Sequence, residues 1–258
     1  MSEPDRLNFP YIECVKSFLP LCDEINVVYN ILKPDDGYDK LKNLNPKVKV
    51  ISGLFDYERF GWASQGIMRT NGYYASTGDI VLMSDCDAIL HENDIDDIRK
   101  QLVRMYDEKV LYGFWMKHRF NRSETYVRQC KHSGIYNKAL MGNNFNFYGH
   151  KGYYAPNWEM LPEEIRKGRQ LDAYIYGYEK LWDNKEILEH KVEMSHIMHN
   201  SIRPDGLSKE EFLEEFMKEK RTKTLTEGKH IPINQHPAII QEKLHQITPE
   251  MWGWSNFL

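Results

Sequence analysis

The sequence lacks the cysteine patterns that mark a metal site or a disulfide framework. Its four cysteines, Cys14, Cys22, Cys86 and Cys130, include no CxxC pair and no metal-ligand spacing. This absence argues against a zinc site built from thiolates. Because unpaired cysteines are typical of reducing compartments, we expect a cytoplasmic protein.

Long apolar runs and a strong excess of one charge are also missing. No apolar run approaches the ~18 residues of a membrane-spanning helix, and the polar N-terminus carries Pro4 and Pro10 rather than a signal peptide. A net charge of −4 argues against binding of nucleic acid by bulk charge. With 41% apolar and 28% charged residues, the composition is typical of a soluble globular domain.

What is present is an alternation of apolar strands with amphipathic helices over residues 8–120. The predicted strands are "INVVYN", "VKVIS", "DIVLMS" and "VLYGFWMKHRF". The predicted helices are "YIECVKSFLPLCDE", "ASQGIMRTNGYYAST", "DIDDIRKQLVRMYD" and a short one in "KPDDGYDKLKNLN". Such alternation predicts an α/β fold with a parallel sheet.

The pattern loosens after residue 120, where two further helices are predicted in "LPEEIRKG" and "SKEEFLEEFMKEK". Ser208 is the expected N-cap of the second, with Glu211 three residues on. No linker divides the chain. We therefore predict a single domain over 1–258, with halves 1–120 and 121–258.

The third predicted strand runs into two carboxylates, Asp85 and Asp87, separated by Cys86. Residues i and i+2 of an extended chain lie on one side, and ligands of parallel α/β sheets gather at the carboxyl ends of the strands. Two oxygen ligands there could hold a divalent cation that neutralises a diphosphate leaving group. By itself, the Asp-x-Asp spacing is a weak indication of metal binding. The alternative is a solvated loop whose acids cap the next helix.

Three segments together resemble the family 2 glycosyltransferases, in particular a bacterial and phage-type subgroup. They are "LPLCDEINVVYNILKPDDGYDKL", "RTNGYYASTGDIVLMSDCDAILHENDI" and "SHIMHNSIRPDG". The resemblance implies a GT-A-like, Rossmann-type, mostly parallel sheet flanked by helices. It assigns residues 1–120 to nucleotide-sugar binding and the irregular C-terminal region to the acceptor side. The family's usual first strand, which precedes "YIECVKSFL", is expected to be missing.

The resemblance also implies a metal site for Mn²⁺ or Mg²⁺. Asp87 would bind the metal directly, and Asp85 would bind it through water or contact the ribose. His199, or failing that His196, would complete the coordination shell after a strand-like apolar stretch.

Further residues are expected to bind the donor nucleotide. Asp36, in the DDG turn, would contact the base or ribose, although it could equally form the turn with Gly37. Arg69 and Asn71 match the family's RNxG helix. Arg203 could pair with phosphate or form a surface salt bridge.

The expected catalytic base is Glu179, which follows a Gly-aromatic turn in "YIYGYEKLWDN". Lys180 stands where the family has a second acid, so Asp172, Asp183 and Glu159 remain rivals. The aromatic residues that could stack on a sugar or fill the core are Trp158, Tyr176, Tyr178 and Trp182.

The leading hypothesis is a metal-dependent, inverting glycosyltransferase that uses a nucleotide diphosphate sugar. A UDP-sugar is the first-choice donor. Its acceptor hydroxyl could belong to a glycan, a protein or a modified DNA base. One alternative is a nucleotidyltransferase, which would need a Gly-rich, basic loop near the N-terminus that the sequence lacks. The other is an inactive relative that binds nucleotide sugar or glycan.

Overall fold

The computed structural model describes residues 1–141, 146–147, 153–154, 163, 168–201 and 206–256. Its helices are α1 (Tyr11–Phe18), α2 (Gly37–Lys42), α3 (Tyr57–Phe60), α4 (Ala63–Ala75), α5 (Ile95–Asp107), α6 (Lys138–Met141), α7 (Lys185–Asn200), α8 (Lys209–Glu227), α9 (Ala238–Leu244) and α10 (Trp252–Ser255). Its strands are β1 (Ile25–Asn30), β2 (Val48–Gly53), β3 (Ile80–Leu82), β4 (Ala88–Leu90), β5 (Tyr112–Arg122), β6 (Thr125–Asn137), β7 (Asn146–Phe147), β8 (Tyr153–Tyr154), β9 (Arg169–Gly177) and β10 (Lys229–His230). None of the helices described is long and apolar enough to cross a membrane.

The helices and strands predicted for residues 8–120 are confirmed. They could be predicted because local side-chain periodicity specifies each of them. The pattern of α5 predicts an apolar face of Ile95, Ile98, Leu102 and Met105; three of these are buried in the core, and Leu102 packs partly buried against it. The cap of α8 is confirmed as well, since Ser208 and Glu211 form a reciprocal capping box. Strand β4 was not predicted, and most of the helix expected in "LPEEIRKG" lies outside the described residues.

Strands β1 and β2 form a small parallel sheet with helices on both faces. Val27 and Tyr29 point to one face, where they pack with residues of α1 and α2. On the other face, α4 packs closely against Gly53, where a Cβ would collide with Met68. The edge of β1 away from β2 is bonded by Met1, whose amino group donates to Val28 O and whose carbonyl accepts from Asn30 N at 2.7 Å.

A larger sheet has the order β10-β6-β5-β9-β4, with β3 also paired to β6. Among the described strands of this sheet, β5 and β9 form the one parallel pair, and the other pairs are antiparallel. The predicted mostly parallel sheet is therefore not confirmed: the fold is mixed α/β, with one small parallel sheet and one largely antiparallel sheet. Residues 123–124 join β5 to β6, and so short a connection permits only an antiparallel pair.

The main core lies between the larger sheet and helices α1, α5 and α9. Its fully buried aromatic members include Trp115, Phe120 and Tyr178. Alternation along β5 places Lys117 and Arg119 on the face of the strand opposite to Phe120.

Candidate functional site

Nine charged residues come together near the point where β9 ends and β4 begins. We call this group the ionic cluster; it consists of Arg69, Asp85, Asp87, Lys117, Arg119, Glu179, Lys180, Asp183 and Lys191. Gly177, the last residue of β9, lies between Ala88 of β4 and Arg119 of β5. Tyr178 N donates to Asp87 O at 3.0 Å, which fixes the chain after β9 against the start of β4.

A buried ion pair between Asp87 and Lys117 lies at the centre of the cluster. Lys117 Nζ is 3.1 Å from Asp87 Oδ2, and the two side chains are only 3% and 5% exposed. Burial alone would lower the pKa of Lys117, but Asp87 and Asp85 more than offset this and raise the pKa above its ordinary value. A Cβ at Gly177 would collide with the Lys117 side chain, so glycine lets Lys117 cross β9. The carboxylate of Asp87 is thus neutralised by a cation of the protein itself.

Asp85 has a different cationic neighbour and is much more exposed. Arg69 Nη2, from α4, lies 3.1 Å from Asp85 Oδ1, and the Asp85 side chain is 41% exposed. Strand β3 ends at Leu82 and is antiparallel to β6. The two aspartates therefore lie in the connection that leads into β4, and not at the carboxyl end of a parallel strand as predicted.

Glu179, the expected base, lies between two cations. Arg119 Nη2 is 3.4 Å from Glu179 Oε2, and Lys180 Nζ contacts Oε1. Burial would raise the pKa of Glu179, but Lys180 and Arg119 lower it well below its usual range. A carboxylate held in this way is a weak proton acceptor until one of the cations is drawn away.

Asp183, a rival for the base, is fully buried against Lys191 of α7. Lys191 Nζ bonds Asp183 Oδ1 at 2.8 Å and Glu179 O at 2.9 Å. Burial raises the pKa of Asp183 to about 6. Its lack of exposure places it in the interior of the cluster, away from solvent.

The two histidines expected in the metal shell lie on a helix, so the strand-like interpretation of their segment is wrong. Asn184 caps α7 by accepting from Ile187 N, and both imidazole rings lie close to Phe212 of α8. His196 Nε2 lies 3.0 Å from Leu207 O, and the ring of His199 is 5.7 Å from that of Phe212.

Within the part of the chain that the structure describes, no three His, Cys, Asp or Glu side chains are placed to hold a metal ion. Asp87 already has Lys117 as its counterion, and each histidine packs against α8 or the segment that precedes it. The described residues therefore do not fit a divalent cation as they stand. The predicted Mn²⁺ or Mg²⁺ site stays a prediction.

The residues expected to bind the nucleotide are only partly brought to the cluster. Arg69 belongs to it, whereas Asn71 is exposed on α4 and Asp36 is exposed at the start of α2. Asp35, rather than Asp36, closes the turn, since its carboxylate accepts from Gly37 N at 3.0 Å. Arg203 lies outside the described residues.

The remaining candidates fall outside the cluster or beneath it. Asp172 is exposed on β9 five residues before Gly177, about 16 Å away along an extended strand. Glu159 and Trp158 lie outside the described residues. The three aromatic residues that are described are buried in the core: Tyr176, Tyr178 and Trp182.

Lys117, Arg119 and Lys191 are members of the cluster that sequence reasoning missed. A usable signal was present in "FWMKHRF", where two basic residues alternate within an otherwise apolar strand. Alternation puts both on one face, and a buried Lys or Arg almost always has a partner. The signal predicts an ionic face but does not identify the partners.

In comparisons with known proteins, no protein-family model and no curated protein significantly matches the chain.

Proposed function

We propose that the protein is a glycosyltransferase that moves a sugar from a nucleotide diphosphate sugar to an acceptor hydroxyl, with inversion of the anomeric configuration. A UDP-sugar is the expected donor. The observation that carries the proposal is the convergence of Asp85, Asp87 and Glu179 with the basic residues of the ionic cluster. The order of the three family-like segments along the chain supports the same conclusion.

Transfer from a nucleotide diphosphate sugar needs cations for the leaving diphosphate and a carboxylate for the acceptor proton. Arg119 and Lys180 supply fixed positive charge beside Glu179. In our proposal the diphosphate competes for these two cations. Glu179 then regains basicity and takes the proton of the attacking hydroxyl. No step of this scheme is assigned to a metal ion.

A panel of nucleotide diphosphates and their sugars, measured with and without Mn²⁺, tests donor binding through the melting temperature. We expect a uridine diphosphate or its sugar to raise it. Slow transfer of the sugar to water then makes free nucleoside diphosphate measurable without knowledge of the acceptor. If no nucleotide changes the melting temperature under either condition, the proposal is wrong.

The role of Glu179 is tested with the variant Glu179→Gln and the matched control Glu242→Gln, which alters an exposed residue of α9. Loss of a general base lowers turnover by roughly 100-fold or more. We expect this loss in Glu179→Gln alone, with the donor-induced rise in melting temperature retained. Equal turnover in both variants would leave Asp172 and Asp183 as the remaining described candidates for the base.

A non-catalytic binding module is the second candidate, favoured by one specific observation. Each carboxylate of the ionic cluster already lies beside a cation, so none is poised as a base in the absence of ligand. Donor binding without any release of nucleoside diphosphate would establish this alternative. Release of pyrophosphate would instead indicate a nucleotidyltransferase.

A further inference from the structure

The ionic cluster extends on one side to helix α8, where Lys220 forms no ion pair with the acids that the structure describes. Phe216, Lys220 and Thr224 are spaced four residues apart and therefore lie on one face of α8. The hydrogen bond from Asn121 Nδ2 to Thr224 Oγ1, 3.0 Å long, fixes this face against β5. Lys220 is thus held one helical turn from the Asn121 contact, on the side of the sheet that carries Arg119.

Three cations meet in this region, and Glu179 is the one carboxylate that the described residues place among them. The ammonium groups of Lys180 and Lys220 lie 5.4 Å and 5.3 Å from the same Phe216 ring. Burial and then the positive charge of Arg119 lower the pKa of Lys220 to about 8, and burial lowers that of Lys180 as well. Glu179 is the only acid shared by Arg119 and Lys180 among the described residues.

The neighbouring acids are already neutralised by other lysines. Glu219 pairs with Lys223 at 2.6 Å, and Asp87 pairs with Lys117 at 3.1 Å. Among the described residues, Glu179 is thus the one carboxylate left to balance Arg119, Lys180 and Lys220, which leaves two positive charges uncompensated.

A donor group without an acceptor lies in the same place. Arg119 Nε is buried and has no hydrogen-bond partner among the residues that the structure describes, and a buried donor left unpaired costs free energy. The Arg119 and Glu179 side chains remain 26% and 30% exposed, so the region is open to a ligand.

We propose that Arg119, Lys180 and Lys220 form a dianion site that binds a diphosphate group without a metal ion. The two uncompensated charges match a dianion, and the guanidinium can pair with two phosphate oxygens at once. The inference rests on the proposed function in one respect only, namely that the diphosphate belongs to the sugar donor.

Inorganic pyrophosphate in excess EDTA is the probe, with binding followed by calorimetry and by the melting temperature. We expect the wild type to bind it and to melt at a higher temperature when it is present. Lys220→Met should weaken binding at least about tenfold, because a charge-assisted contact is lost. The same variant should melt at a higher temperature than the wild type without ligand, because repulsion between like charges is relieved.

Lys223→Met is the matched control, since Lys223 lies on the same helix, is 45% exposed and pairs only with Glu219 among the described residues. We expect it to bind pyrophosphate as the wild type does. Binding by Lys220→Met within twofold of the wild type, or no binding by the wild type in EDTA, would overturn the site. Binding that appears only with Mn²⁺ would also overturn it while leaving the proposed transferase intact. If the wild type binds pyrophosphate in EDTA but releases no nucleoside diphosphate from a sugar donor, the dianion site is supported and the proposed transferase activity is refuted.

Discussion

Replacing Lys117 by methionine is expected to reduce the free energy of unfolding by about 3–5 kcal/mol, the usual cost of leaving one partner of a buried ion pair alone. Asp87 would lose the ammonium group 3.1 Å from its carboxylate, and its side chain is only 5% exposed. Methionine retains the apolar stem that crosses Gly177, so the change isolates the charge.

The double variant Asp87→Asn/Lys117→Met is expected to recover most of that loss, to within about 2 kcal/mol of the wild type, since no charge is left buried without a counterion. Together with the single variants it forms a double-mutant cycle that gives the coupling energy of the pair. The measurement is urea unfolding at pH 7, followed by the fluorescence of the tryptophans.

Lys100→Met is the control, because Lys100 makes an exposed pair with Asp97 on α5; its unfolding midpoint should match the wild type. A loss of less than about 1 kcal/mol in Lys117→Met would refute the reasoning. It would mean that Asp87 finds water or another cation, and that the pair is not the centre of the cluster.

Three further predictions concern the scaffold. Burial would raise the pKa of Glu24, but hydrogen bonds from Thr77 and Lys49 lower it to about 2. The ionised carboxylate therefore stabilises the fold above pH ~4, and this stabilisation is lost as pH falls toward 2. Glu24→Gln should lower the free energy of unfolding, measured in urea, by about 1–2 kcal/mol at pH 7 and make no difference at pH 2. Burial lowers the pKa of His118 to about 4, so the protein should lose stability as pH falls from ~6.5 toward 4. The NMR signals of the His118 imidazole should be those of the neutral form at pH 5. A titration midpoint above pH ~6 would contradict this prediction. Ser208→Ala, which removes the cap of α8, should lower the free energy of unfolding by about 1 kcal/mol, and an unchanged urea midpoint would show that the capping box contributes nothing.

Only part of the candidate site could be predicted from the sequence. Asp85, Asp87 and Glu179 were predicted from motif positions, and the structure places all three in one ionic cluster. Arg69, which pairs with Asp85, was expected in the site as a donor-binding residue. Lys117 and Arg119 were not predicted, because a partner such as Lys117 lies 30 residues from Asp87 in the chain. The metal site and the transferase activity stay predictions.

By itself the sequence determined most local elements of residues 8–120, with α3 and β4 the exceptions, together with the buried face of α5 and the capping box of α8. Side-chain periodicity and capping act over a few residues, so they can be read directly from the chain. Only the tertiary structure decided that β3 pairs with β6, that the larger sheet is mainly antiparallel, and that Asp87 faces Lys117. Strand pairing and buried charge pairs depend on which distant segments meet. The sequence pattern of an apolar strand is the same whichever strand it pairs with, so the pattern does not identify the partner.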